Sequence, residues 1–258
     1  MIQNAEDNQY KKAEAEKKQL FLRFTVHPDR ILIDYNEDGF EEVDVRAICS
    51  TGKITKKDAQ AYIGENGIGF KSVFKVASKV HIQSGAFSFL FKHSQRDDGL
   101  GTVTPIFEEH HELPEGVRTR MTLTLTNPSD VESLTNEFRD LPDSSLTFLS
   151  EMEKIAIAIV KGVEDTSTTV YSYRYANDLS RGELTKHSTA NGASDKVEIY
   201  YNHITKRKSA NLPTDNSRPG IHEADVVLAF PLDKESAPLD SQQHLSVFLP
   251  IRQVGYNV

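Results

Sequence analysis

Tryptophan is absent from these 258 residues and cysteine occurs once. No apolar run approaches the roughly 20 residues that a bilayer span requires. The lone Cys49 excludes a disulfide framework within the chain and any cysteine-cluster metal site. A reducing compartment fits that usage best, and the polar start does not read as a secretory leader. Positive charge is in the minority, with 30 Lys and Arg against 38 Asp and Glu and a net charge of -8. That balance speaks against a protein whose main business is gripping a phosphate backbone. The short basic run Lys206-Arg207-Lys208 reads as a solvated turn. What remains, 38% hydrophobic and 26% charged residues, is too apolar for a disordered chain. The length sustains one large domain, or one domain with an extension. A soluble intracellular protein of cytoplasm or nucleus is the expectation.

The first 20 residues are rich in Ala, Glu, Lys and Gln, without Gly or Pro, and predict helix. Residues 20–26 read as a strand that turns at His27-Pro28-Asp29 into a hairpin partner at 31–35. A short helix is predicted over 41–49. Polar, Lys-rich residues 50–66 read as a long loop, of the kind that tends to be functional. A helical pattern resumes over 70–77. Residues 80–82 and 87–91 form strands joined at Ser84-Gly85, and 118–126 alternate with Met121, Leu123 and Leu125 on one face. Beyond about residue 150 strand-like runs dominate, at 155–160, 168–175, 197–201, 226–230 and 245–249. Polar stretches at 188–196 and 209–219 separate some of them.

The segment Gly64-Glu65-Asn66-Gly67-Ile68-Gly69-Phe70-Lys71-Ser72-Val73-Phe74 leads three glycines into an apolar helical pattern. Glycine lets a backbone approach a ligand closely, and a helix start presents free N–H groups to a phosphate. It is not a Walker A loop, because Phe70 separates Gly69 from Lys71. Nor is it a dinucleotide fingerprint, because Ser72 stands where the third glycine belongs and no strand precedes it. A helix entry without ligand is the alternative reading. Near the N-terminus, Asn4, Asp7, Asn8 and Lys11 fall on one face if the segment is helical. A carboxamide oxygen there suits Mg2+, and a solvated helix face is the plainer alternative. Tyr35-Asn36-Glu37-Asp38-Gly39-Phe40 ends a strand in an acidic turn, where a group can accept from a base's amino group or merely turn the chain. His110-His111-Glu112 precedes Leu113-Pro114, which breaks any helix that would converge the histidines on a metal, so they read as exposed loop residues. Cys49 reads as packed rather than reactive.

Taken in order, Gln3-Asn4-Ala5-Glu6-Asp7-Asn8, Asn36-Glu37-Asp38-Gly39-Phe40, the segment 64–74 and Thr119 in the strand 118–126 resemble the four ATP-site motifs of the GHKL (Bergerat-fold) family. DNA gyrase, the large heat-shock chaperones and histidine kinases belong to that family, and the wording here is closest to its sacsin/NO VEIN branch. The resemblance covers roughly residues 1–130 and implies an α+β fold, a two-layer α/β sandwich with a mixed sheet. It implies an ATP-binding domain at 1–150 and a β-rich extension at 151–258. On that basis Asn4 holds Mg2+ and the phosphates, with Asp7 and Lys11 beside the nucleotide. Asn36 stands where the family has an aspartate that reads the adenine amino group, flanked by Gly39. Residues 50–66 form the lid, and Gly67, Gly69, Phe70 and Lys71 close over the phosphates. Thr119 supports the adenine end.

Two departures qualify the resemblance. Asn36 replaces the aspartate, although Glu37 or Asp38 serves if the turn is shifted. The family's catalytic glutamate lies four residues before the asparagine, a position ahead of Met1, and loss of a general base costs about 10²–10⁴ in rate. The reading is therefore a chaperone-like domain that binds Mg-ATP, with hydrolysis in doubt. The alternative is a pseudo-ATPase acting as an interaction or scaffold module. Other domains of a longer protein, or client proteins, are the expected partners.

Overall fold

The computed structural model describes residues 1–49, 72–92, 105–141, 146–147, 149, 151–162, 165–175, 181–190, 195–210, 223–239, 243–247 and 249–254. The glycine segment 64–71, with Gly67, Gly69, Phe70 and Lys71, and the lid at 50–66 lie outside them.

The described chain begins with α1 (Ile2–Glu6) and α2 (Lys11–Ala15). A hairpin of β1 (Phe21–Val26) and β2 (Arg30–Tyr35) follows, then α3 (Glu42–Cys49) and a 3-10 turn at Ser72–Lys75. Next come β3 (Ala77–Ser84), β4 (Phe87–Lys92), β5 (Ile106–Phe107), β6 (Thr119–Leu125) and α4 (Asp130–Arg139). The remaining elements are all strands: β7 (Lys154–Val160), β8 (Thr166–Tyr175), β9 (Arg181–Thr189), β10 (Lys196–Ala210), β11 (Glu223–Leu232), β12 (Gln243–Val247) and β13 (Leu249–Val254).

Eleven of these strands hydrogen-bond into one mixed sheet, in the order β11-β10-β9-β8-β7-β1-β2-β6-β3-β4-β5, and β12 and β13 form a separate pair. This corrects the expected two-layer α/β sandwich. The described helices are few, and the longest spans 10 residues. Strands, not helices, make up most of the described elements. The expected helix over the first 20 residues is likewise broken, into two helices of 5 residues each.

By compactness the chain divides into two units. The first comprises 1–141, 150–170 and 187–196. Its hairpin β1–β2 pairs Phe24 with Ile33, and β2 pairs antiparallel with β6 through Ile33 and Met121. β3 lies on the far side of β6, with Ile82 opposite Met121, and β4 follows as its hairpin partner. On the other edge of β1, β7 runs parallel, placing Ile157 beside Phe24. Alternation then does its work: Leu22, Phe24, Val26, Ile31, Ile33, Val80, Ile82, Met121, Leu123, Ile155 and Ile157 are all buried. Helix α4 packs Phe138 onto Phe24, ring centroids 4.9 Å apart. The second unit comprises 142–149, 171–186 and 197–258. In it β10 and β11 form an antiparallel ribbon from Tyr201–Leu232 to Ala210–Glu223.

Candidate functional site

Where β2 ends, its last residue and the turn that follows divide their duties. Tyr35 is buried, and its carbonyl accepts from the Arg118 amide at 3.1 Å. Asn36, expected at the base-reading position, is occupied otherwise. Its Oδ1 accepts from Phe21 N at 3.1 Å and its Nδ2 donates to Gln19 O at 3.0 Å. Both ends of the amide thus tie the entry of β1 to the exit of β2, and the side chain is 2% exposed. Asp38 is also engaged: its carboxylate accepts from Lys11 N at 3.1 Å and Lys12 N at 2.8 Å. Tyr10, which occupies the N-cap position of α2, makes no side-chain cap, so Asp38 caps that helix from the far side of the turn. This is also why the N-terminal helix breaks. Asp38 N donates to Gln9 O at 2.8 Å, which draws 7–10 out of helical register.

Between these two lies Glu37, 4% exposed. Burial raises its carboxyl to about 7, with the nearby charges of Asp44 and Asp38 adding to the rise and hydrogen bonds to Thr119 and Ser84 opposing it. Its Oε1 is buried and has no hydrogen-bond partner among the described residues. Thr119, fully buried at the start of β6, shares a hydrogen bond of 2.5 Å with Ser84 Oγ at the end of β3. Register places the two residues directly opposite each other. Ser84 Oγ also accepts from Phe40 N at 2.8 Å.

Gly39 makes the approach possible. Its φ is +91°, and a Cβ built there would lie 3.3 Å from the Cα and N of Gly85, itself at φ +57°. The acidic turn and the β3–β4 hairpin therefore touch backbone to backbone. Glu37, Gly39, Ser84 and Thr119 form one cluster.

The other expected residues are distributed differently. Asn4 is half-buried on α1, Asp7 is exposed beyond its end, and Lys11 opens α2 with an exposed side chain. They do not share one helix face. Partial burial and the neighbouring Glu6 raise the Asp7 carboxyl. Asn4 offers a hard oxygen that fits Mg2+ where phosphate oxygens and waters complete the shell. Among the described residues no group of three or more His, Cys, Asp or Glu side chains is placed to hold a metal ion. His110 and His111 are exposed; His110 Nε2 bonds to Ala86 O at 3.1 Å, and the backbone of His111 meets the Gln83 side chain. They pin the segment before β6 to the β3–β4 hairpin. Cys49 is half-buried and its thiol is raised by burial, which leaves it a poor nucleophile at neutral pH.

Two residues of this region carried no sequence signal. Glu6, on α1, accepts from Glu151 N at 3.0 Å and Met152 N at 3.1 Å, which holds the Asn4 helix against the entry to β7. Ser84 gains its place from strand register alone. Glu37 was named from sequence, together with Asp38, as a substitute for Asn36 if the turn is shifted.

No helix among the described residues is long and apolar enough to cross a membrane. Residues 1–93 match the family model of the Sacsin domain. Over 276 aligned positions covering 99% of the chain, the sequence is 29% identical to Protein NO VEIN of Arabidopsis thaliana. The chain spans 9% of the length of that relative. The chain is thus similar to the Sacsin domain over residues 1–93 and to NO VEIN over 99% of its length.

Proposed function

We propose that the chain binds Mg-ATP in a GHKL-like site, with Glu37 rather than Asn36 reading the adenine amino group. The observation that carries this reading is the Oε1 of Glu37, buried beside Thr119 and Ser84 and without a partner among the described residues. A buried acceptor without a partner costs about 1–3 kcal/mol, and an N–H donor on a ligand removes that cost. Glu37 stands two residues before Gly39, and Thr119 faces it from the sheet, the order that the motif resemblance implies. At the other end Asn4 holds Mg2+ and phosphate oxygens, with Asp7 and Lys11 nearby. Gly67, Gly69, Phe70 and Lys71 close over the phosphates, and Mg2+ supplies charge neutralisation there.

One observation favours binding over hydrolysis. Glu6 is the one acidic residue of α1, and its carboxylate is held by two backbone amides of the β7 entry. A carboxylate so engaged does not serve as a general base. ATP then acts as a conformational ligand that shifts a population of states, and a scaffold or chaperone-like role toward other domains or client proteins follows from that.

Calorimetric titration of the chain with ATP and MgCl2 tests the reading. Saturable, Mg2+-dependent binding that weakens at least tenfold in both Asn4→Ala and Glu37→Ala is expected. No heat at millimolar nucleotide, from a chain with an intact circular dichroism spectrum, sinks it.

A further inference from the structure

Glu37 is unusual among the buried polar groups of the first unit. The described groups that face it are anionic or neutral: Asp38 beside it in the turn, Asp44 on α3, Tyr35 on β2, Tyr10 before α2, and the hydroxyls of Ser84 on β3 and Thr119 on β6. Among the described residues no lysine or arginine is one of the charges that act on it, and Lys12 gives its Nζ to the Asp38 carbonyl at 2.6 Å instead. Nothing on the described walls therefore commits the carboxyl to one protonation state. The two states present opposite faces at Oε1. Ionised, the oxygen only accepts; protonated, it can donate.

Purines differ at the matching position in the same sense. A 6-amino purine offers an N–H donor at its exocyclic atom, whereas a 6-oxo purine offers a carbonyl acceptor. We propose that the protonation state of Glu37 sets the base preference of this site, the ionised form selecting 6-amino purine nucleotides and the protonated form admitting 6-oxo purine nucleotides. The inference rests on the nucleotide reading above and adds to it a specificity linked to pH. Burial beside two acidic neighbours brings the exchange near neutrality. Binding of the amino base draws Glu37 toward its ionised form and releases a proton; binding of the oxo base retains one. Ser84 and Thr119 share one hydroxyl hydrogen between them, and the other can donate to Glu37 in either state, so the cluster need not rearrange.

The ratio of two affinities isolates the effect. ATP and ITP carry the same triphosphate and bind the same Mg2+, so titration of the phosphates cancels when their dissociation constants are compared. In the wild-type chain the preference for ATP over ITP should fall by about tenfold between pH 8 and pH 5.5. In Glu37→Gln the amide both donates and accepts, and the ratio should be small and flat across that range. Asn4→Ala should weaken both nucleotides while leaving the pH dependence of their ratio intact. As an independent readout, the carboxyl carbon resonance of Glu37 should move toward the ionised position with ATP and toward the protonated position with ITP. Saturable ATP binding with a flat wild-type ratio, or a Glu37→Gln ratio that follows the wild type, overturns this inference and leaves the nucleotide site standing. Failure of both nucleotides to bind at any pH, from a folded chain, overturns both readings.

Discussion

Two carboxylates stand three residues apart at the end of β2, and the protein treats them in opposite ways. Asp34 is fully buried on one side of the sheet and saturated with donors. Arg23 reaches its Oδ2 at 2.6 Å from β1, and Arg120 from β6 meets Oδ1 at 2.6 Å and Oδ2 at 2.8 Å. Register sets Arg23 and Arg120 directly opposite Asp34 on its two neighbouring strands. The hydrogen bonds to Asp34 in turn raise the guanidinium of Arg120. Glu37, just past the strand, has hydroxyls for company, acidic residues for neighbours and, among the described residues, an oxygen with no partner. A carboxylate that closes its own valences holds a sheet together. One left open is a cost to the fold, of the kind that a binding site imposes.

The sharpest way to break this contrast is Asp34→Ala, which leaves two guanidinium groups facing each other across a vacated site. Losing one partner of a buried ion network costs about 3–5 kcal/mol, and the partly exposed arginines hold the figure to the lower end. Urea unfolding at neutral pH should show it as a lower midpoint with an unchanged slope. Glu37→Gln should move stability the other way. A carboxyl at about 7 in the folded chain, against an ordinary 4.5, binds its proton more tightly folded than unfolded. Its contribution to stability is full below pH 4.5 and is lost as pH rises through 7. The variant should therefore match wild type at pH 4.5 and gain up to about 3 kcal/mol at pH 8. A gain that is constant with pH would show that Glu37 is ionised throughout. Gly39→Ala sharpens the comparison at smaller scale. The positive φ and the 3.3 Å approach to Gly85 together cost about 1–2 kcal/mol. The variant should also weaken ATP, because the turn carrying Glu37 must retreat from the hairpin. Equal ATP affinity in a destabilised Gly39→Ala chain would separate the turn from the site.

Strand content was legible where period-two alternation was clean. The hairpin at His27-Pro28-Asp29, the hairpin at Ser84-Gly85 and the alternation of Met121, Leu123 and Leu125 all stand as read. Helix α4 was missed, although Pro128-Ser129-Asp130 is a plausible start signal. The architecture was misjudged because hydrogen bonding between distant strands leaves no local pattern: β7, β8, β10 and β11 read as strands but not as one sheet, and β9 (Arg181–Thr189) was not read as a strand at all. Composition also favoured a single N-terminal helix. Asp38 overrode it from 27 residues away, by capping Lys11 and Lys12. The same limit applies to the site. In Asn36-Glu37-Asp38 three polar residues follow one another, and only the folded turn shows that the first ties strands, the last caps a helix, and the middle one has an oxygen without a partner among the described residues.

The parallel pairing of β1 with β7 constrains when this fold can form. Phe21 pairs with Lys154 and Val26 with Ile159, so one edge of the central hairpin waits for chain more than a hundred residues downstream. The stretch matching the Sacsin domain ends before β6, which is the strand that joins β2 to β3. A nascent chain that has left the ribosome only through that stretch carries Leu22, Phe24 and Ile33 on strands with open edges. Such edges pair readily with other chains. During synthesis the acidic turn is therefore complete in sequence long before β6 brings Thr119 to it, and chaperone protection of the emerging N-terminal hairpin should matter most in that interval.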